Sequence, residues 1–175
     1  MENKFITNLK MRRSIRAYTD KMPPPVSIER IIEAGTYAPN GLGRQSAIII
    51  AVTNREIRDR MSGLNAAILG STADPFYGAP VALMVLADRS IPTYIYDGSL
   101  VMGNMLNAAH SEGLGACWIH RTKEMFEHEE GKKLLKKLGI DGDYEGIGIC
   151  IVGCPSDEEL PHPRPRKPDY VYRID

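Results

Sequence analysis

Arg12-Arg13-Ser14-Ile15-Arg16 sets three guanidinium groups within five residues, and Arg164-Pro165-Arg166-Lys167 repeats the charge near the far end of the chain. A phosphate monoester carries about two negative charges at neutral pH and is held best by several fixed cations with hydroxyl and backbone donors. Brought together by folding, the two stretches make a phosphate clamp; kept apart, each is an ordinary solvated patch. The residues just before the first stretch favour a fixed geometry. Asn3 stands where it can cap a short helix whose apolar side is Phe5, Ile6 and Leu9, so Arg12 to Arg16 leave from a rigid end.

The rest of the chain has the size and balance of one domain, residues 1–175. At 175 residues it can bury roughly 70% of its unfolded surface. With 22 basic against 22 acidic residues the formal charge is zero, which removes the electrostatic argument for nucleic acid or an anionic membrane as partner. No apolar run reaches the roughly 20 residues of a bilayer span, and no secretory core opens the chain, so the cytoplasm is the expected location. Cys117, Cys150 and Cys154 are an odd set without a C-x-x-C pair and read as buried thiols.

Helical and strand-like patterns alternate outward from the first basic stretch. Val26 to Ile32 reads as a helix capped by Ser27, with Ile28, Ile31, Ile32 and Gly35 on one face, ending before Pro39. Ile48 to Thr53 reads as a strand, and Asn54 caps a helix striped by Ile57, Met61, Leu64 and Ile68. Val81 to Ala87 reads as a fully buried strand, and Tyr94 to Glu112 as a long helix with small residues for close packing. Gly115 to Ile119 is a short strand, Lys123 to Leu138 one charged helix, and Glu145 to Gly153 a last strand. From Pro155 onward five of the twelve prolines fall in the last 21 residues, which predicts an extended arm over 155–175 able to reach a partner subunit.

The familiar catalytic motifs are missing. No G-x-G-x-x-G opens a helix after a strand, no G-x-x-x-x-G-K-[ST] occurs, and Gly146, Gly148 and Gly153 lie inside a strand. His110, His120, His128 and His162 form no metal-ligand spacing, so no metal is expected, and His128-Glu129-Glu130 reads as part of the charged helix face. No G-x-S-x-G elbow appears. Catalysis, if present, falls to a bound cofactor.

Four segments, in order, carry a resemblance to the nitroreductase family of FMN-dependent NAD(P)H oxidoreductases. Arg12-Arg13-Ser14-Ile15-Arg16-Ala17-Tyr18 resembles its R-R-S-x-R-x-[FY] opening. Ala38-Pro39-Asn40-Gly41-Leu42-Gly43-Arg44-Gln45 resembles its A-P-S-G-x-N-x-Q loop. Ala108-Ala109 through Gly113-Leu114-Gly115-Ala116-Cys117-Trp118-Ile119 resembles its A-A-x-x-x-G-L-G-x-x-W, and Arg164-Pro165-Arg166-Lys167-Pro168 its K-P-R-K-P tail. The resemblance implies an α+β fold: a three-layer α-β-α sandwich around a mixed, mainly antiparallel sheet, with an extended C-terminal arm.

It also implies a cofactor site. Arg12, Arg164 and Arg166 would hold the FMN phosphate, with Arg13 and Ser14 adding contacts along the phosphate and ribityl chain. Arg16 would stand at the N1/O2 edge of the ring, where at about 4 Å and an effective dielectric of about 20 a cation favours the anionic reduced ring by up to roughly 4 kcal/mol. The backbone of Ile119, His120 and Arg121 would approach flavin N5; His120 is either a proton donor there or a helix-entry residue with a surface ring. Pro39, Asn40, Gly41 and Gly43 match the loop that a second subunit lays over the flavin, so the implied assembly is a homodimer with FMN sites at the subunit interface. NADH or NADPH would deliver hydride in a ping-pong cycle, and a nitroaromatic or quinone would take the electrons; a flavin-storage protein and a reductase dedicated to one metabolite are the alternatives. The chain departs from the family pattern at Gly43, where asparagine is frequent, and at Ser46-Ala47, where Pro-Trp is frequent, which predicts a wider pocket. Within Asp74-Pro75-Phe76-Tyr77-Gly78-Ala79-Pro80, where the family reads the pyrimidine edge, no residue matches.

Overall fold

The computed structural model describes residues 3–156 and 161–174, and the expected arm is therefore followed from Pro161. Helix α1 (Lys4–Met11) is capped by Asn3, whose side chain accepts from the Phe5 and Ile6 amides. Then follow α2 (Pro25–Thr36), β1 (Ala47–Val52), α3 (Arg55–Leu69), β2 (Val81–Asp88), α4 (Tyr94–Ser111), β3 (Gly115–Ile119), α5 (Thr122–Glu127), α6 (Glu129–Lys137) and β4 (Tyr144–Gly153). Asn54 caps α3 through a bond from the Ile57 amide. The four strands form one sheet in the order β1-β2-β4-β3, with every neighbouring pair antiparallel. The parallel part of the expected mixed sheet reduces to a single bridge between Ser14 and Ala116.

The two central strands are apolar on both faces because helices cover both. Val81, Leu83 and Val85 point with Cys150 and Val152 into a core shared with Ile28 and Ile31 of α2 and Met102 and Met105 of α4. Met84, Leu86, Ile149 and Ile151 point the other way, against Met61 and Leu64 of α3 and Met125 and Phe126 of α5. Alternation along β2 thus serves two cores, the three-layer sandwich that the resemblance implied. Close approach is bought with missing side chains. A Cβ on Gly98 would meet Ile147 at 2.6 Å, and one on Gly148 would meet the Trp118 indole at 2.6 Å.

Three local expectations are corrected. Ser27 lies buried inside α2, whose cap position is Pro24 with proline also at the first helical position, and α2 stops at Thr36, before Pro39. The single helix expected over 123–138 is two, because His128 is extended (φ −76°, ψ 152°) and its Nδ1 accepts from the Glu130 amide as the cap of α6. Gly131 lets α6 fold back onto α5: a Cβ there would collide with the Met125 carbonyl oxygen. Cys117 and Cys150 are buried, but Cys154 is only half-buried. Burial, first, and the neighbouring Cys117 push the Cys150 thiol up to about 12, so it stays protonated.

Candidate functional site

Because β3 is an edge strand, its outer side offers unpaired backbone groups, and Ser14-Ile15 meet it at Ala116. Arg12 ends α1, its amide bonded to Asn8; Ser14 bridges Ala116, and the Ile15 amide donates to the Ala116 carbonyl at 3.0 Å. Next, Tyr18 bridges Pro155, the Thr19 amide donates to the Cys154 carbonyl and the Ser156 amide to the Ala17 carbonyl. The Tyr18 hydroxyl donates to the Ile15 carbonyl at 2.6 Å, and burial raises its pKa. The first basic stretch is thereby pinned against the start of the C-terminal arm.

Clefts open at both ends of this stretch. At the Arg12 end a cavity of about 490 Å³ is lined by Arg12, Arg13, His110 and the arm residues Pro161 to Pro163. Arg12 Nη1 and Arg13 Nε are buried with no hydrogen-bond partner, whereas Arg13 Nη1 donates to the Arg12 and Lys10 carbonyls. Two enclosed guanidinium nitrogens without acceptors suit an anion. His110, on the last turn of α4, is held below the ordinary imidazole value by burial and then by Arg12 and Arg13. Arg164 and Arg166 follow the cavity-lining arm residues but are themselves exposed, and Arg166 Nη2 donates to the Arg164 carbonyl at 2.7 Å.

At the other end a cleft of about 610 Å³ is lined by Arg16, Asn65, Tyr77, Trp118 and the turn Ile119-His120-Arg121. This turn leaves β3 abruptly: Arg121 is left-handed (φ 72°), and its guanidinium pairs with Glu124 at 3.0 Å. The His120 carbonyl accepts from Asn65 Nδ2 at 2.7 Å, which fixes the turn, while the imidazole is exposed with its ring 6.2 Å from Trp118.

The sequence reading missed Asn65 and looked for a polar reader in 74–80. Asp74 is already spent there, accepting from Arg58 Nη2 (2.7 Å), from Ser62 Oγ and from the Phe76 and Gly78 amides. Those bonds outweigh burial and hold its carboxyl below the usual range. They also fix Tyr77, left-handed at φ 52°, on the cleft wall. The signal for Asn65 is an amide at i+4 from Met61 inside an apolar stripe, 1% exposed.

The loop Pro39 to Gly43 lies apart from both clefts. It turns through left-handed Leu42 and Gly43, with Leu42 fully presented to solvent. Asp97, buried on α4, anchors it by accepting from the Gly41 amide (3.0 Å), Ser46 Oγ (2.7 Å) and Thr93 Oγ1 (3.0 Å). Those bonds outweigh the desolvation that would raise it and keep the Asp97 carboxyl low. Ser46, one of the two departures from Pro-Trp, thus has its own role, and Ala47, the other, lines a cleft of about 520 Å³ with Asn40. Among the described residues no cluster of three or more metal-ligating side chains occurs, and no helix is long and apolar enough to cross a membrane.

An edge strand thus supports a basic segment that runs between two clefts. Residues 9–70 and 67–154 match the profile of the Nitroreductase family. A protein of Archaeoglobus fulgidus that carries the name NADH dehydrogenase/NAD(P)H nitroreductase is 32% identical over 154 residues, 85% of this chain and 83% of that protein. An FMN reductase [NAD(P)H] of Bacillus subtilis is 26% identical over 93% of this chain and 70% of its own length. The crystal structure of a nitroreductase with bound FMN from Bacteroides fragilis superposes with a TM-score of 0.88 at 26% identity, covering 99% of this chain and 100% of that one. The chain belongs to the nitroreductase family.

Proposed function

We propose that the protein is an FMN-dependent NAD(P)H oxidoreductase that works by a ping-pong cycle on an electron-poor acceptor such as a nitroaromatic or quinone. One observation carries this reading: Arg12 and Arg13, with buried nitrogens lacking acceptors, stand at one end of a segment whose other end is Arg16 beside the 119–121 turn. Four residues of extended backbone span about 13 Å, the reach of a phosphate joined through a ribityl chain to a ring. When bound, FMN supplies the chemistry, accepting a hydride from the nicotinamide and passing electrons to the acceptor.

The chain's own residues bind and orient. Arg12 and Arg13 would hold the phosphate, with Arg164 and Arg166, which follow the cavity-lining arm residues, adding charge, and Ser14 would line the ribityl path. Arg16 would bring positive charge to the ring end, and the backbone of Ile119, His120 and Arg121, steadied by Asn65, would approach the flavin ring. Asn65 itself is our choice for the reader of the polar ring edge. His120, exposed and unburdened by a strong partner in the cleft, is at most a proton source.

Each site is read as completed by a second chain. The Pro39-Asn40-Gly41-Gly43 loop lies away from the two clefts at the ends of residues 12–16, is anchored by Asp97 and presents Leu42 outward, as a loop meant for a neighbour would be. Helix α1 buries no residue and exposes Phe5, Ile6, Leu9 and Met11, while the arm exposes Tyr170, Val171, Tyr172 and Ile174. Such apolar area is costly on a monomer and suits a homodimer. The test is the visible spectrum of freshly purified protein, followed by addition of NADH and then of a quinone in the same cuvette. Flavin absorbance that bleaches with NADH and returns with quinone supports the reading; colourless protein that takes up no FMN overturns it.

A further inference from the structure

The cavity at the Arg12 end contains one basic group that the clamp does not account for. His110 projects from the last turn of α4 into the space lined by Arg12 and Arg13 from the N-terminal segment and by Pro161, His162 and Pro163 from the arm. Among the described residues lining this cavity there is no carboxylate, so the groups facing His110 are two guanidinium ions and a second imidazole. Glu112, two residues further on at the C-terminal cap of α4, is paired with Arg30 at 3.3 Å. A half-buried imidazole beside two cations, with no carboxylate lining the cavity among the described residues, is in an unfavourable place for its own proton, and burial followed by Arg12 and Arg13 lowers its proton affinity accordingly. The arrangement becomes favourable when an anion with several acceptor oxygens enters, since Arg12 Nη1 and Arg13 Nε already lack acceptors there.

Resting on the flavin reading above, we propose that His110 is a further ligand of the phosphate monoester in this cavity and binds it as the imidazolium, so that the mononucleotide and a proton are taken up together. Without the phosphate, burial and then the two arginines hold the proton affinity of His110 down; a dianion placed among the three reverses the sign of the local field and raises it. The sign follows. The His110 contribution to affinity is complete below the proton affinity of the empty site and lost as the pH rises through that of the filled site. The phosphate's own second ionisation, near 6, works in the opposite direction because the arginines prefer the dianion. A comparison of two proteins at each pH removes that common factor.

The experiment is isothermal titration calorimetry of the full chain, stripped of flavin, with FMN and with riboflavin from pH 5.5 to 8.5, alongside His110→Gln and His162→Gln. The ratio of FMN dissociation constants, His110→Gln over native, is expected at about tenfold at the acid end, the worth of one charge-assisted hydrogen bond, falling towards one at the alkaline end. Riboflavin, which lacks the phosphate, should show no such ratio. Native protein at pH 7.5, in buffers of different ionisation heat, should take up a measurable fraction of a proton with FMN, a readout that does not depend on any variant folding. A ratio that stays flat, the same ratio with riboflavin, the pH dependence moving with His162→Gln instead, or no proton uptake would each overturn the proposal. If native protein binds no FMN at any pH, the flavin reading itself fails, a result distinct from FMN bound with no His110 effect.

Discussion

Arg12 carries a buried nitrogen with nothing to donate to, and the free energy of that defect is recovered only when an acceptor arrives. Replacing Arg12 by alanine should therefore weaken FMN at least about tenfold in equilibrium dialysis while the far-ultraviolet dichroism stays native. Unchanged flavin retention would remove the assignment. Asn65 makes the opposite kind of contribution, since its Nδ2 already has the His120 carbonyl at 2.7 Å. Asn65→Ala leaves a carbonyl without its donor at the 119–121 turn and should cost about 1–2 kcal/mol in urea denaturation, together with looser flavin. The two residues differ in how visible they were beforehand. Arg12 announces itself by charge and motif, whereas Asn65 hides in a helical stripe, and only tertiary packing of α3 against the end of β3 reveals that its amide faces a cleft.

Among elements, α5 and α6 show where a periodic pattern misleads. The charge and leucine spacing over 123–138 is continuous, with no proline to interrupt it, so the sequence reads as one helix. What divides it is a cap formed by His128 and a contact between Gly131 and the Met125 carbonyl, both of which depend on the chain folding back. Gly131→Ala should force the helix pair apart and lower the unfolding free energy by roughly 2 kcal/mol or more in urea titration, where an exposed helical glycine would gain stability instead. The loop anchored on α4 carries a pH signature. Asp97 and Asp74 both have depressed carboxyls, so the stability they contribute is in place above the unfolded value of about 3.9 and is lost as the pH falls through their folded values. Thermal scans should show the midpoint falling below about pH 4, and Asp97→Asn should blunt that acid dependence while costing about 2 kcal/mol at neutral pH.

For the whole molecule, the strand positions were legible because a strand covered on both faces leaves an unbroken apolar run, as at Val81 to Ala87, whereas the three-layer arrangement came with the family resemblance. The proposed cofactor cradle was legible only in pieces. Nothing in the order of residues says that 12–16 will lie along the outer edge of β3, since that depends on which strand ends up at the edge. Nor does it place the 39–43 loop, which stays apart from both clefts in a single chain. If that loop serves a neighbour, gel filtration should give a yellow species near twice the 19.4 kDa chain mass. Tyr96→Asp, on an exposed face of α4, should shift it towards the single-chain mass and release the colour. A stable yellow monomer would count against the shared site. One more property follows from the glycine at position 148. By leaving room for a flat indole, it lets the only tryptophan of the chain, Trp118, line the wall of the ring-end cleft. The protein therefore contains a native optical gauge: its ultraviolet-excited emission should dim as an isoalloxazine settles nearby and recover when it departs, so occupancy can be followed in real time without any attached dye.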